Sequence, residues 1–145
     1  MTRINLVDPT ELYDQHLIAE RREIRLLCAH LRKSLASKRG VSISRIPSRF
    51  TLNRGHVTFF YDKGKYLHKR YIALTKEMIR RGFKPDLSNR FPVSDWPTHL
   101  YNDWTPSERD LSIIRARIAL RLSQRSGWYR KSPVITRILP KSANF

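Results

Sequence analysis

Three stretches of apolar residues at helical spacing constrain this fold more than any other feature of the chain. The first opens at Asp8-Pro9, where Asp8 can cap and Pro9 suits the first helical position, and it runs to about Ser37. Tyr13, Leu17, Ile24, Leu27, Leu31 and Leu35 form one face of it, and Arg21, Arg22, Arg25, Arg32 and Lys33 fall on the other. The second, near Lys63 to Arg81, repeats Leu67, Tyr71, Leu74 and Met78 at helical intervals and stops at Gly82. The third starts with Thr105-Pro106-Ser107-Glu108, a capping box with Pro at its first position. It buries Leu111, Ile114, Ile118 and Leu122 while presenting Arg115, Arg117 and Arg121.

The connections are rich in proline and aromatic residues. His56-Val57-Thr58-Phe59-Phe60-Tyr61 has β-like composition but is too isolated to predict a sheet. Residues 83–104, with Pro85, Pro92, Pro97, Trp96 and Trp104, read as an ordered loop pinned by aromatics. The tail from about residue 126 is irregular and basic. No repeat or linker divides the chain. The expectation is an all-α single compact domain over residues 1–145, with three main helices and long ordered loops.

Charge then speaks to partners. The chain carries 29 Lys and Arg against 12 Asp and Glu, a formal net charge of +17. That excess favours a polyanion, and nucleic acid is favoured over membrane because no apolar run approaches a membrane span. The N-terminus lacks the apolar core of a signal peptide, so the expected setting is intracellular. The single cysteine, Cys28, excludes an internal disulfide and a multi-cysteine zinc site. Arg3, Arg21, Arg22, Arg25, Arg115, Arg117, Arg121, Arg125 and Arg130, with Lys131, would converge if the first and third helices packed side by side. Trp128-Tyr129 adds aromatics suited to stacking or wedging, or equally to packing of the tail.

Candidate chemistry is sparse. His16, Glu20 and Glu23 share one side of the first helix, with Glu20 inside the apolar arc and Glu23 at its edge. Carboxylates there suit acid–base work, but Glu20 paired to a buried arginine and Glu23 as a plain surface charge explain the pattern as well. No second helix completes a metal site and no His-Glu-x-x-His pattern exists, so no metal or cofactor is expected. The distinctive nucleophile is the α-amine of Thr2, freed if Met1 is clipped. Its reference pKa of about 7.7–8.0 leaves roughly a tenth unprotonated near neutrality.

The ordered matches Met1-Thr2-Arg3-Ile4-Asn5-Leu6, Glu11-Leu12, Asp14-Gln15-His16-Leu17, Ala19-Glu20, Arg22-Glu23, Gly55 to Lys63, Arg81-Gly82-Phe83 and Trp128-Tyr129 carry a resemblance. The chain resembles the phage-type pyrimidine-dimer DNA glycosylase/AP lyase, the phage endonuclease V family. The resemblance implies an all-α domain whose N-terminal segment threads between helices. It implies that Thr2 attacks C1′ of a damaged nucleotide through an imine and that Glu23 is the essential carboxylate. Arg3, Arg22, Arg117 and Arg121 fall at its phosphate and basic positions, and Gln15 and His16 at its cleft lining. Arg25, Trp128 and Tyr129 join these as candidate DNA contacts. The implied partner is double-stranded damaged DNA, bound by a monomer without metal.

Two positions depart from the family pattern. Leu26 stands where arginine is frequent, with Arg25 one residue earlier, and Arg130-Lys131-Ser132-Pro133 replaces a tyrosine-rich tail. Both touch lesion recognition more than the Thr2–Glu23 pair. Two rivals follow: the same chemistry on another lesion, such as a ring-opened purine or an abasic site, and a non-catalytic basic DNA-binding protein.

Overall fold

The computed structural model of the protein describes residues 3–135. It contains four α-helices, α1 (Asp14–Ala36), α2 (His56–Phe59), α3 (Gly64–Arg80) and α4 (Glu108–Gln124), joined by short 3-10 turns, and no strand among the described residues. The expected all-α architecture is therefore found. The main helix pair is α1 on α3. Leu17, Ile24, Leu27 and Leu31 of α1 share one buried core with Leu67, Tyr71, Leu74 and Met78 of α3. Truncating any one of these leucines to alanine would cost about 2–5 kcal/mol, set by how far the cavity collapses.

Helix boundaries differ from the sequence reading in two places. Asp8 caps only a 3-10 turn, Pro9–Glu11, through its side chain and the Thr10 amide. Leu12 and Tyr13 are then extended, and α1 begins at Asp14. Arg81 holds both sides of this break: its Nη2 donates to the carbonyls of Pro9 (3.1 Å) and Thr10 (3.5 Å) while Nη1 pairs with Asp14 at 3.0 Å. At α4 the cap is Ser107, not Thr105: Ser107 and Asp110 form a reciprocal capping box, leaving Pro106 outside the helix. Only Ile114 and Ile118 of the expected apolar set are fully buried there, with Leu111 and Leu122 at the margin.

The β-like run is helical, forming α2 and the 3-10 turn Phe60–Asp62. Its aromatics gain more from clustering than from a pleated conformation: Phe59 and Phe60 meet Phe50 and Trp104 at ring separations of 5.2–6.2 Å. The end of α3 is as expected. Gly82, at φ 90°, closes it as Phe83 N–H reaches the Met78 carbonyl (3.0 Å) and Gly82 N–H the Ile79 carbonyl (2.9 Å).

The 83–104 loop is ordered and pinned as anticipated. Phe91 stacks on His68 at 4.8 Å and Trp96 on Phe91 at 6.0 Å. Trp96 lies so close to α3 that a Cβ on Gly64 would meet its ring at 2.4 Å. Arg21 completes the pinning: it donates to the Asp86 and Asn89 carbonyls at 3.0 and 3.2 Å and lies over Tyr71.

Candidate active site

Residues Ile4–Val7 are buried and extend among the helices, and each of the four helices grips them. Ile4 N–H donates to His56 Nε2 of α2 at 3.0 Å. Asn5 N–H donates to Glu20 Oε1 of α1 at 3.1 Å, and Asn5 Oδ1 accepts from Arg117 of α4 at 3.4 Å. Arg70 of α3 donates to the carbonyls of Leu6 (3.1 Å) and Val7. Leu6 sits at φ 56°, a conformation unusual for a bulky side chain. Such strain, of order 1–3 kcal/mol, persists only where the surroundings over-determine it, which Arg70 does here.

Arg70 is itself held by Glu20 in a two-pronged pair, Nε to Oε2 at 2.6 Å and Nη2 to Oε1 at 3.1 Å, with both side chains buried. Glu20 is thus the structural carboxylate, the plainer of its two sequence readings. Glu23, one turn on, keeps partial exposure and lines a cavity of about 110 Å³ with Arg3, Asn5, His16, Ala19, Glu20 and Arg117. His16 and Arg117 also wall an adjoining cavity of about 240 Å³ with Arg121, Gln124, Arg125 and Tyr129. Together they form one cleft with a carboxylate at one end and guanidiniums along it.

The cleft carries an excess of positive charge. Burial and Arg121 lower the proton affinity of Arg3 while Glu23 opposes them. Burial, Arg3 and Arg121 do the same to Arg117. Burial first and then Arg117 lower the pKa of His16, with Glu20 opposing them and Arg121 adding a smaller push. Cations that depress one another's proton affinity, with few carboxylates between them, suit an incoming anion.

Of the residues singled out from the sequence, Arg3, His16, Glu23, Arg117, Arg121, Arg125 and Tyr129 meet in this cleft. Arg22 is exposed beside Glu23 on α1. Arg25 is exposed on another side of the helix, where its charge bears on Arg21 and Asp86. Leu26 is 46 % exposed and bears no charge. Thr2 lies outside the described residues. The other arginines of the cluster disperse: Arg21 serves the 83–104 loop and Arg115 pairs with Glu11 at 3.1 Å.

Gln15 has a role the sequence did not suggest. Its Nε2 donates to the Trp128 carbonyl at 2.8 Å and its Oε1 accepts Arg130 N–H at 3.0 Å, clasping the tail backbone on both sides of Tyr129. Asp14 adds Ser132 N–H at 3.0 Å, and Asp14 N–H donates to the Arg130 carbonyl at 2.7 Å. The clasp seats Tyr129 on His16, rings 4.8 Å apart and nearly parallel. Trp128 stays 45 % exposed, edge-on to Tyr129 and stacked under Arg125 at 4.0 Å. The sequence did not reveal the contacts of Asn5 with Glu20 and Arg117 or of His56 with Ile4, which join residues far apart in the chain.

Guanidiniums thus dominate the lining of the cleft, with Glu23 among them. A family model described as pyrimidine dimer DNA glycosylase matches residues 1–90, which include the gripped segment and Glu23. The match spans more than half of the chain, and the protein belongs to the pyrimidine dimer DNA glycosylase family.

Proposed function

We propose that the protein removes one base of a cyclobutane pyrimidine dimer in duplex DNA and then cuts the strand, using the α-amine of Thr2 once Met1 has been removed. One observation carries this reading. The grip on Ile4–Val7 delivers Arg3, the residue directly after Thr2, to the wall of the cavity that Glu23 lines. Guanidiniums such as those lining this cavity lower the pKa of a nearby amine and enlarge its nucleophilic fraction.

The steps balance as follows. The amine nitrogen bonds to C1′ as the glycosidic C–N bond breaks, and that electron pair leaves with the base, which takes up a proton. The nitrogen loses a proton and the C1′–O4′ bond opens, giving an iminium and a 4′-hydroxyl. Loss of a C2′ proton then expels the 3′ phosphate, and water releases the amine. Glu23 stabilises the cationic sugar and relays these protons. Arg3, Arg117 and Arg121 hold phosphates, and Tyr129 and Trp128 face the distorted duplex. A dimer is already poorly stacked, so the deformation needed to expose it costs less there than at intact DNA.

Borohydride trapping tests this on duplexes carrying one thymine dimer or one abasic site, with Met1 removal verified by mass. An adduct mapping to Thr2 on both is expected. Trapping on the abasic duplex alone would move the substrate to another lesion, and no adduct on either would leave a basic DNA-binding protein.

A further inference from the structure

Residues 24–61 contain eight Lys and Arg and no Asp or Glu. This run includes the loop between α1 and α2, outside the cleft described above. Several basic side chains are paired with carboxylates: Arg70 with Glu20, Arg81 with Asp14 and Glu77, Lys69 with Asp103, Arg115 with Glu11 and, within this run, Arg32 with Asp95. Arg39, Arg45 and Arg54 are exposed and have no carboxylate partner among the described residues. An uncompensated cluster costs self-repulsion, and a polyanion lying on it relieves that cost.

The shape matches the charge. Arg3, on the wall of the cleft, also borders a cavity of about 360 Å³ lined by Arg54, Gly55, His56 and Thr58. Thr58 in turn borders a further cavity of about 320 Å³ lined by Arg39, Ser42, Arg45 and Tyr61. No carboxylate lines either one. The second is a built feature: Arg45 Nη2 donates to the carbonyls of Arg39 and Gly40 at 3.1 and 3.4 Å, and Gly40 turns the chain at φ 63°. The positive surface therefore continues from the cleft through Arg3 and Thr58.

We propose that this groove, marked by Arg54, Arg45 and Arg39, is a second phosphate-binding arm that takes the duplex backbone flanking the lesion. It rests on the reading that duplex DNA is the substrate. Guanidiniums and a serine hydroxyl suit phosphate oxygens, which supply affinity and register without reading sequence. The arm serves long duplexes: DNA that only fills the cleft does not reach it.

The test is binding, by fluorescence anisotropy across a salt series, to duplexes containing a stable abasic analogue. Two lengths are compared, about 8 and about 25 base pairs, the longer spanning about 85 Å at 3.4 Å per step. Arg39→Gln/Arg54→Gln is the variant, because Arg45 also supports its loop, and its thermal midpoint is checked against the unmodified chain. The log–log salt slope on the long duplex should fall by about 2, near 0.9 per lost phosphate contact. The affinity gained by lengthening the duplex should shrink about tenfold. An unchanged slope and an unchanged length effect in a folded variant would overturn the arm. Incision of a dimer-bearing duplex by the unmodified chain is run alongside. Its absence would sink the glycosylase reading and leave the salt slopes to judge the arm on their own.

Discussion

Nε2 of His56 accepts the Ile4 amide at 3.0 Å while Nδ1 faces the Thr51 carbonyl at 2.8 Å, so one neutral imidazole ties the N-terminal segment to the loop before α2. The two bonds fix the tautomer: Nδ1 carries the proton and Nε2 offers its lone pair. Protonation would remove the acceptor for Ile4.

Burial lowers the pKa of His56 to about 4, with the bond to Thr51 opposing the shift and Arg3 and Arg117 adding to it. The unfolded chain binds this proton below about 6.5, where the folded chain does not. Stability from this residue is therefore complete above about pH 6.5 and is lost as pH falls towards about 4. Its size is about 3 kcal/mol. Urea unfolding of the native chain and of His56→Phe should show their stability difference shrinking as pH falls from 7 to 4. A difference that stays constant with pH would show that the imidazole does not titrate with folding.

Glu20 and Glu23 are one helical turn apart and should respond oppositely to substitution. Glu20 is buried against Arg70, so Glu20→Ala strands a guanidinium and should cost about 3–5 kcal/mol of stability. Glu23 is only partly buried and lines the cavity. Glu23→Gln should keep the melting temperature and the DNA affinity while slowing incision by about two to four orders of magnitude. Normal incision by Glu23→Gln would remove the carboxylate from the chemistry.

Much of this was legible in the chain. The faces of α1 and α3 follow from the spacing of Leu17, Ile24, Leu27, Leu67, Tyr71 and Leu74, and Gly82 marks the end of α3 because its φ demands glycine. Glu23 at the edge of an apolar arc and Glu20 inside it were visible as positions, and their different fates were not. That difference depends on Arg70, fifty residues away in the chain. Likewise, nothing local distinguishes Arg21, spent on the 83–104 loop, from Arg117, turned into the cleft. A helical wheel assigns a side, and the neighbour on that side decides the role.

The clasp on the tail yields a third prediction. Gln15→Leu removes both amide bonds to the backbone at Trp128 and Arg130, each of which contributes about 0.5–1.5 kcal/mol net. The tail should then open more often, exposing Arg130 and Lys131 to trypsin. Cleavage there should quicken about tenfold, and the quenching of Trp128 fluorescence by DNA should weaken. Unaltered trypsin rates would mean that Asp14 alone, through Ser132 and Arg130, holds the segment.

Arginines of α4 separate binding from bystander charge on a single helix. Arg117 and Arg121 line the cleft, whereas Arg115 is tied to Glu11 at 3.1 Å and stands apart from it. Every one of these substitutions changes net charge equally, so a purely global electrostatic effect would weaken DNA binding alike in all three. Phosphate contact predicts otherwise. Arg121→Gln should lower the salt slope for a dimer-bearing duplex by about 1, and Arg117→Gln by about the same with some added loss from freeing Asn5. Arg115→Gln should leave the slope near its original value, since its guanidinium is already committed to a carboxylate. Equal slopes across the three variants would replace the phosphate-contact account with a diffuse field.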